Sequence, residues 1–116
     1  MGARACVDDF FSDLSAAANG GMKVRERYAV LGRVLRLAVD QRLEGVKVCF
    51  AGLYPKIQYL VRECRISENS KDRTLVQAIN DTRNRLRHIE TTGDAELEAA
   101  FAGDLKAVCK FVSVVY

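Results

Sequence analysis

The stretch Met22–Glu44, MKVRERYAVLGRVLRLAVDQRLE, constrains the fold more than any other. At 100° per residue, Leu37, Val30, Val34, Ala38, Leu31, Val24, Leu35, Tyr28 and Val39 fan over an arc of roughly 200°, about twice the ~100° stripe of a surface helix. Only Arg33, Arg36, Asp40, Glu26 and Glu44 are left as a narrow polar band. A helix this broadly apolar needs neighbours on more than one side. It is expected to be the central element of a helical bundle, with every other segment packed around it.

The remaining segments fit that expectation. Val7, Phe10, Phe11, Leu14 and Ala17/Ala18 repeat at helical spacing. Asp8 and Asp9 favour the start of that helix by charge, and Asn19-Gly20-Gly21 ends it. The short turn makes the first two helices antiparallel neighbours. Val46–Phe50 reads either as an extended link or as an early helix start. From Gly52 to Arg65, Leu53, Ile57, Leu60, Val61 and Cys64 share a face, with Pro55 in the first turn where its missing N–H costs nothing. Tyr54 and Tyr59 flank that stripe. Ile66–Asp72 is a polar connection, and Ser70 or Asp72 caps the next helix. That helix runs to about Glu90, and Leu75, Ile79, Thr82, Leu86 and Ile89 form an inward seam with 4,3,4,3 spacing.

Thr91-Thr92-Gly93 stops the fourth helix. A short helix, DAELEAAF, follows from Asp94. Gly103-Asp104 is expected to break and restart the chain into a final helix carrying Leu105, Val108, Cys109, Val112, Val115 and Tyr116 on one side, with Phe101 upstream in phase. The expected fold is therefore all-α: an antiparallel bundle of about four main helices plus one or two short ones. At 116 residues it forms a single helical domain with a core that needs no metal or disulfide staple. Most chains trail off in polar residues, whereas this one stops at FVSVVY. That apolar last turn points to a tightly docked end or to a domain cut from a longer protein, and the second is the preferred expectation.

The residue chemistry excludes more than it assigns. Four cysteines and one histidine are present, with no Cys-x-x-Cys, so a zinc site has no natural ligand set. Cys49, Cys64 and Cys109 lie among apolar residues and are expected to be buried reduced thiols. His88, near a helix end, has no nucleophile or acid beside it in a recognisable motif. Asp40 and Glu44 are four residues apart, but Arg36 supplies Asp40 with a plainer partner. No Glu-x-x-His occurs, and no phosphate loop or Gly-x-Gly-x-x-Gly. The chain is thus not expected to be an enzyme, nor to hold a metal or cofactor. The N-terminus lacks the pattern of a signal peptide, and no apolar run approaches the ~20 residues of a membrane span. The expectation is a cytoplasmic protein with no membrane contact.

One surface stands out as a candidate site. Arg73, Arg83 and Arg87 share a face of the fourth helix with Gln77, Asn80 and Asn84, opposite the Leu75/Ile79/Leu86 seam, and Arg85 lies to the side. Arginines hold phosphates and amides reach base edges, so Arg73, Arg83, Arg87, Asn80 and Asn84 are candidate contacts for nucleic acid or for an acidic protein partner. A solvated helix face is the plainer reading of the same residues. The formal charge of +3 permits either partner without requiring one.

Two stretches, FAGLYPKIQYL (50–60) and INDTRNRLRHI (79–89), resemble the N-terminal helical region that precedes the motor in some bacterial superfamily I helicase-like ATPases. The similarity covers roughly Val46 to Tyr116. The resemblance implies a non-catalytic accessory or interaction module attached to a nucleic-acid-processing ATPase, whose own phosphate loop is missing from this sequence. The alternative is a stand-alone helical adaptor for a protein partner.

Overall fold

The computed structural model describes residues 6–19, 21–45, 52–63 and 70–116; at 54, 61, 62 and 70–74 it describes the backbone alone. These residues form five α-helices: α1 (Val7–Asn19), α2 (Val24–Arg42), α3 (Leu53–Glu63), α4 (Ser70–Arg87) and α5 (Asp94–Val115), with a 3-10 turn at Ile89–Thr91 between the last two. No strand occurs among them, so the all-α expectation holds. Expectations for Val46–Phe50, Cys49, Cys64, and the side chains of Tyr54 and Val61 lie outside the described residues, as does most of the Ile66–Asp72 connection.

Local chemistry sets the ends of the helices. Cys6 precedes α1, and its N–H donates to Oδ2 of Asp9 at 3.0 Å. This is the return half of a capping box, in which the third helical residue reaches back to the cap. The bond to the Cys6 backbone holds the Asp9 carboxyl below its ordinary range. After α2, Gly45 at φ 83° turns the chain in a conformation that costs glycine no side-chain clash.

The central helix is α2. Val24, Tyr28, Leu31, Val34, Leu35, Ala38 and Val39 are buried, and Arg33, Arg36, Asp40, Glu26 and Glu44 are exposed as expected. Leu37 departs from the expectation, since it stays 48% exposed. Phe10, Leu14 and Ala17 of α1 join the same core, with Ile57 and Leu60 from α3 and Leu75 and Ile79 from α4. Leu86 and Ile89, assigned to the inward seam, are only half-buried.

Helix directions follow from the contacts at the ends. Arg25 at the start of α2 pairs with Asp94 at the start of α5, at 2.8 Å. At the other end Arg42 Nε donates to the Val115 carbonyl at 2.8 Å, and the Tyr116 hydroxyl donates to the Ala38 carbonyl at 2.6 Å. The two longest helices, α2 and α5, therefore run in the same direction. The short connections make α1 antiparallel to α2, and α4 antiparallel to α5. Phe10 at the start of α1 meets Tyr116 edge-on with ring centroids 5.8 Å apart.

The largest correction concerns the C-terminal third. No break occurs at Gly103-Asp104: α5 is one continuous helix of 22 residues. Leu97, Phe101, Asp104, Val108, Phe111 and Val115 form its buried seam, and Asp104 is 2% exposed. Aspartate usually leaves helix interiors because its carboxylate competes for nearby backbone groups. Here that competition is removed by donors from other helices. Cys109, expected to be buried, is half-buried, and desolvation pushes its thiol pKa up.

Candidate interaction groove

Asp104 determines how α4 is rotated. Its carboxylate accepts from the Tyr28 hydroxyl at 2.6 Å, the Thr82 hydroxyl at 2.8 Å, and Nε of Arg85 at 2.6 Å, with Arg85 Nη2 completing a bidentate pair. Arg85, expected at the side of α4, is thus turned inward toward α5. The hydrogen bond to Asp104 raises the guanidinium pKa above its already high ordinary value. Burial first, and then the bond to Asp104, push the Tyr28 hydroxyl well above its usual range. Both groups are held as donors. With four donor atoms on one carboxylate, the cluster acts as a structural clamp.

The clamp has a consequence on the other side of the helix. Residues two apart on an α-helix point about 160° away from each other. With Arg85 drawn toward α5, Arg83 and Arg87 emerge beside Leu86, facing α2. They line a recess of about 180 Å³ together with Arg36 and Leu53. A larger open groove of about 480 Å³ continues from it along α2 and shares Arg36 and Leu86. Gly32, Leu37 and Ile89 form its apolar surface, and Arg25, Arg33 and Arg36 stand along it. No acidic side chain lines either hollow among the described residues.

Gly32 lets α4 come close to α2 at the groove. A Cβ there would meet Leu86 Cδ2 at 3.4 Å. Leu86 thus packs where a side chain on Gly32 would lie against it. The arginines are held to different degrees. Arg25 is bound by Asp94 and by the carbonyls of Ile89 and Thr92. Arg33 lies 3.7 Å from Asp13, with both side chains about half exposed, so the pair is weak. Asp40, expected to pair with Arg36, is engaged by Lys56 Nζ at 3.2 Å.

The five candidate contacts on α4 separate. Arg83 and Arg87 meet at the recess, flanking the seam at Leu86 rather than opposing it. Asn84 is exposed and accepts from Arg83 Nη2 at 2.9 Å. Asn80 is half-buried. The Arg73 side chain lies outside the described residues, and its backbone sits ten positions from Arg83, about 15 Å along the helix. Sequence reasoning missed Arg33, Arg36 and Leu37. Their signal was the adjacency of the α2 polar band to one edge of an arc too wide for its neighbours to cover.

Other chemistry is sparse among the described residues. No group of three or more His, Cys, Asp or Glu side chains gathers there. His88 is exposed, and its carbonyl accepts from the hydroxyls of Thr91 and Thr92 at the 3-10 turn. No helix is long and apolar enough to cross a membrane. No family model, curated protein or solved structure matches the chain.

Proposed function

We propose that the chain is a non-catalytic interaction domain of a larger, cytoplasmic, nucleic-acid-processing ATPase of the helicase-like kind. The observation that supports an interaction role is the arginine-lined apolar groove assembled from α2 and α4. The helicase-like attachment rests on the resemblance of residues 50–60 and 79–89. In this reading the domain binds an acidic partner through Arg33, Arg36, Arg83 and Arg87, and the motor lies elsewhere in the protein. The stand-alone adaptor is the second reading, and the same groove favours it.

The two readings part on the parent protein. The coding DNA beyond Tyr116 is expected to continue into a phosphate loop. Removing this domain from the full product is expected to change how ATP hydrolysis responds to DNA while leaving basal turnover intact. A product with no phosphate loop sinks the attachment and leaves the adaptor. Direct nucleic-acid contact is read by titrating labelled single- and double-stranded DNA at two salt concentrations, since phosphate contacts weaken steeply with salt. If binding is seen and Arg83→Glu with Arg87→Glu leaves it unchanged, the α4 face is not the contact.

A further inference from the structure

We propose that the α2–α4 groove is a docking site for an acidic amphipathic helix of a partner protein. The proposal deepens the interaction reading above by naming the occupant. Three features of the groove select it.

The first is length. Along α2 the groove extends from Arg25 to Leu37, twelve residues or about 18 Å. That is the length of a three-turn helix, which presents apolar anchors at i, i+3 or i+4, and i+7 to such a surface. The second is the floor. Leu37, at 48% exposure, is the most exposed of the large hydrophobic side chains among the described residues. It lines the same hollow as half-buried Leu86 and Ile89, and Leu86 packs close against Gly32. The third is charge. Arg33, Arg36 and Arg87 line the two hollows and no carboxylate does, so acidic residues beside the apolar anchors meet guanidiniums. Arginine suits this role because its planar fork takes a carboxylate bidentately.

The same features disfavour nucleic acid as the occupant. Single strands are held by stacking bases on exposed aromatic rings, and the one ring lining the groove, Tyr28, is buried. A duplex presents phosphates to a charged surface and has no use for an apolar floor. Arg85 adds nothing to the groove charge, since it is turned inward to Asp104.

The test uses the whole chain and a designed probe: a fluorescein-labelled helical peptide of about 14 residues, with leucines along one face and glutamates flanking them. A control peptide has the same composition with the leucines spread around the helix. Binding is followed by fluorescence anisotropy and located by amide NMR shifts. The amphipathic peptide is expected to bind at least about tenfold more tightly than the control, with the shifts centred on Gly32, Leu37, Leu86 and Ile89. Leu37→Glu, at an exposed position, and Arg36→Glu with Arg87→Glu are each expected to weaken binding about tenfold or more. The proposal is overturned by equal affinity for the two peptides, by no binding up to about millimolar peptide, or by shifts elsewhere. It is also overturned if a 15-nucleotide oligothymidylate or a short duplex displaces the peptide and is itself lost in the same variants, which makes the groove a nucleic-acid site. Self-association of the chain that buries Leu37 overturns it as well, because the occupant is then a second copy. None of these readouts involves ATP, so failure here is separable from failure of the attachment to a motor.

Discussion

Removing Arg85 is expected to harm this protein more than removing Asp104, although the two form one ion pair. Asp104 is 2% exposed and Arg85 about one-third exposed. Arg85→Leu leaves a carboxylate in the core with only the Tyr28 and Thr82 hydroxyls as donors. Breaking a buried pair in this way costs about 3–5 kcal/mol, and the partial exposure of Arg85 places the expectation near the lower end. Asp104→Leu strands no charge. The arginine reaches water, the Thr82 hydroxyl turns its one proton to the Ala78 carbonyl 3.0 Å away, and the Tyr28 hydroxyl turns to the Leu97 carbonyl at 3.4 Å. Its cost is about 1–2 kcal/mol. The double variant has neither charge in the core and is expected to recover most of the Arg85→Leu loss, giving a coupling of about 3 kcal/mol. A chain of this length loses about 4 °C in Tm per kcal/mol. Thermal melts at neutral pH should therefore rank wild type, Asp104→Leu and the double variant above Arg85→Leu, with the last lower than wild type by roughly 12 °C. Additive losses, or an Asp104→Leu variant that melts below Arg85→Leu, refute the clamp.

Other outcomes follow from the same packing. Gly103 is exposed on α5, and a Cβ added there would meet nothing within 4 Å, so Gly103→Ala should raise stability by about 0.5–1 kcal/mol in a urea melt; a loss argues against a continuous α5. Leu35 is fully buried in α2, and Leu35→Asp should abolish the cooperative melt, since an unpaired charge there costs several kcal/mol; a retained transition sinks the central role of α2. The Asp9 carboxyl is held low by the Cys6 N–H, so its contribution is present above the unfolded carboxyl range and lost as pH falls through its own lowered value. Asp9→Ala should thus lower the urea midpoint at pH 7 and leave it unchanged near about pH 2; an equal deficit at both values contradicts the capping role.

How much of the molecule was legible in the sequence depended on the type of interaction. The helices were legible because a local period records which face is buried: Phe10/Leu14/Ala17, the α2 arc and Leu75/Ile79/Thr82 all carried it. The candidate face on α4 was half legible. Arg83 and Arg87 were recognised, whereas their meeting with Arg36 needed two helices to be placed side by side. Arg33 and Arg36 read as ordinary solvated residues because nothing local to α2 tells a groove wall from a free surface.

Asp104 marks the boundary between the two levels. Within its own segment, glycine followed by aspartate carries every local sign of a chain break, and local propensity gives no reason to bury it. What buries it are donors 19, 22 and 76 residues away in the chain, Arg85, Thr82 and Tyr28. The sequence by itself determined the all-α class and the central place of α2, since hydrophobic periodicity is a property of neighbouring residues. Only the tertiary structure decided that α5 is unbroken, that α2 and α5 run parallel, and that Arg85 turns in while Arg83 and Arg87 turn out. Each of these depends on hydrogen bonds and charges brought together from distant parts of the chain, and such pairings leave no period in the sequence.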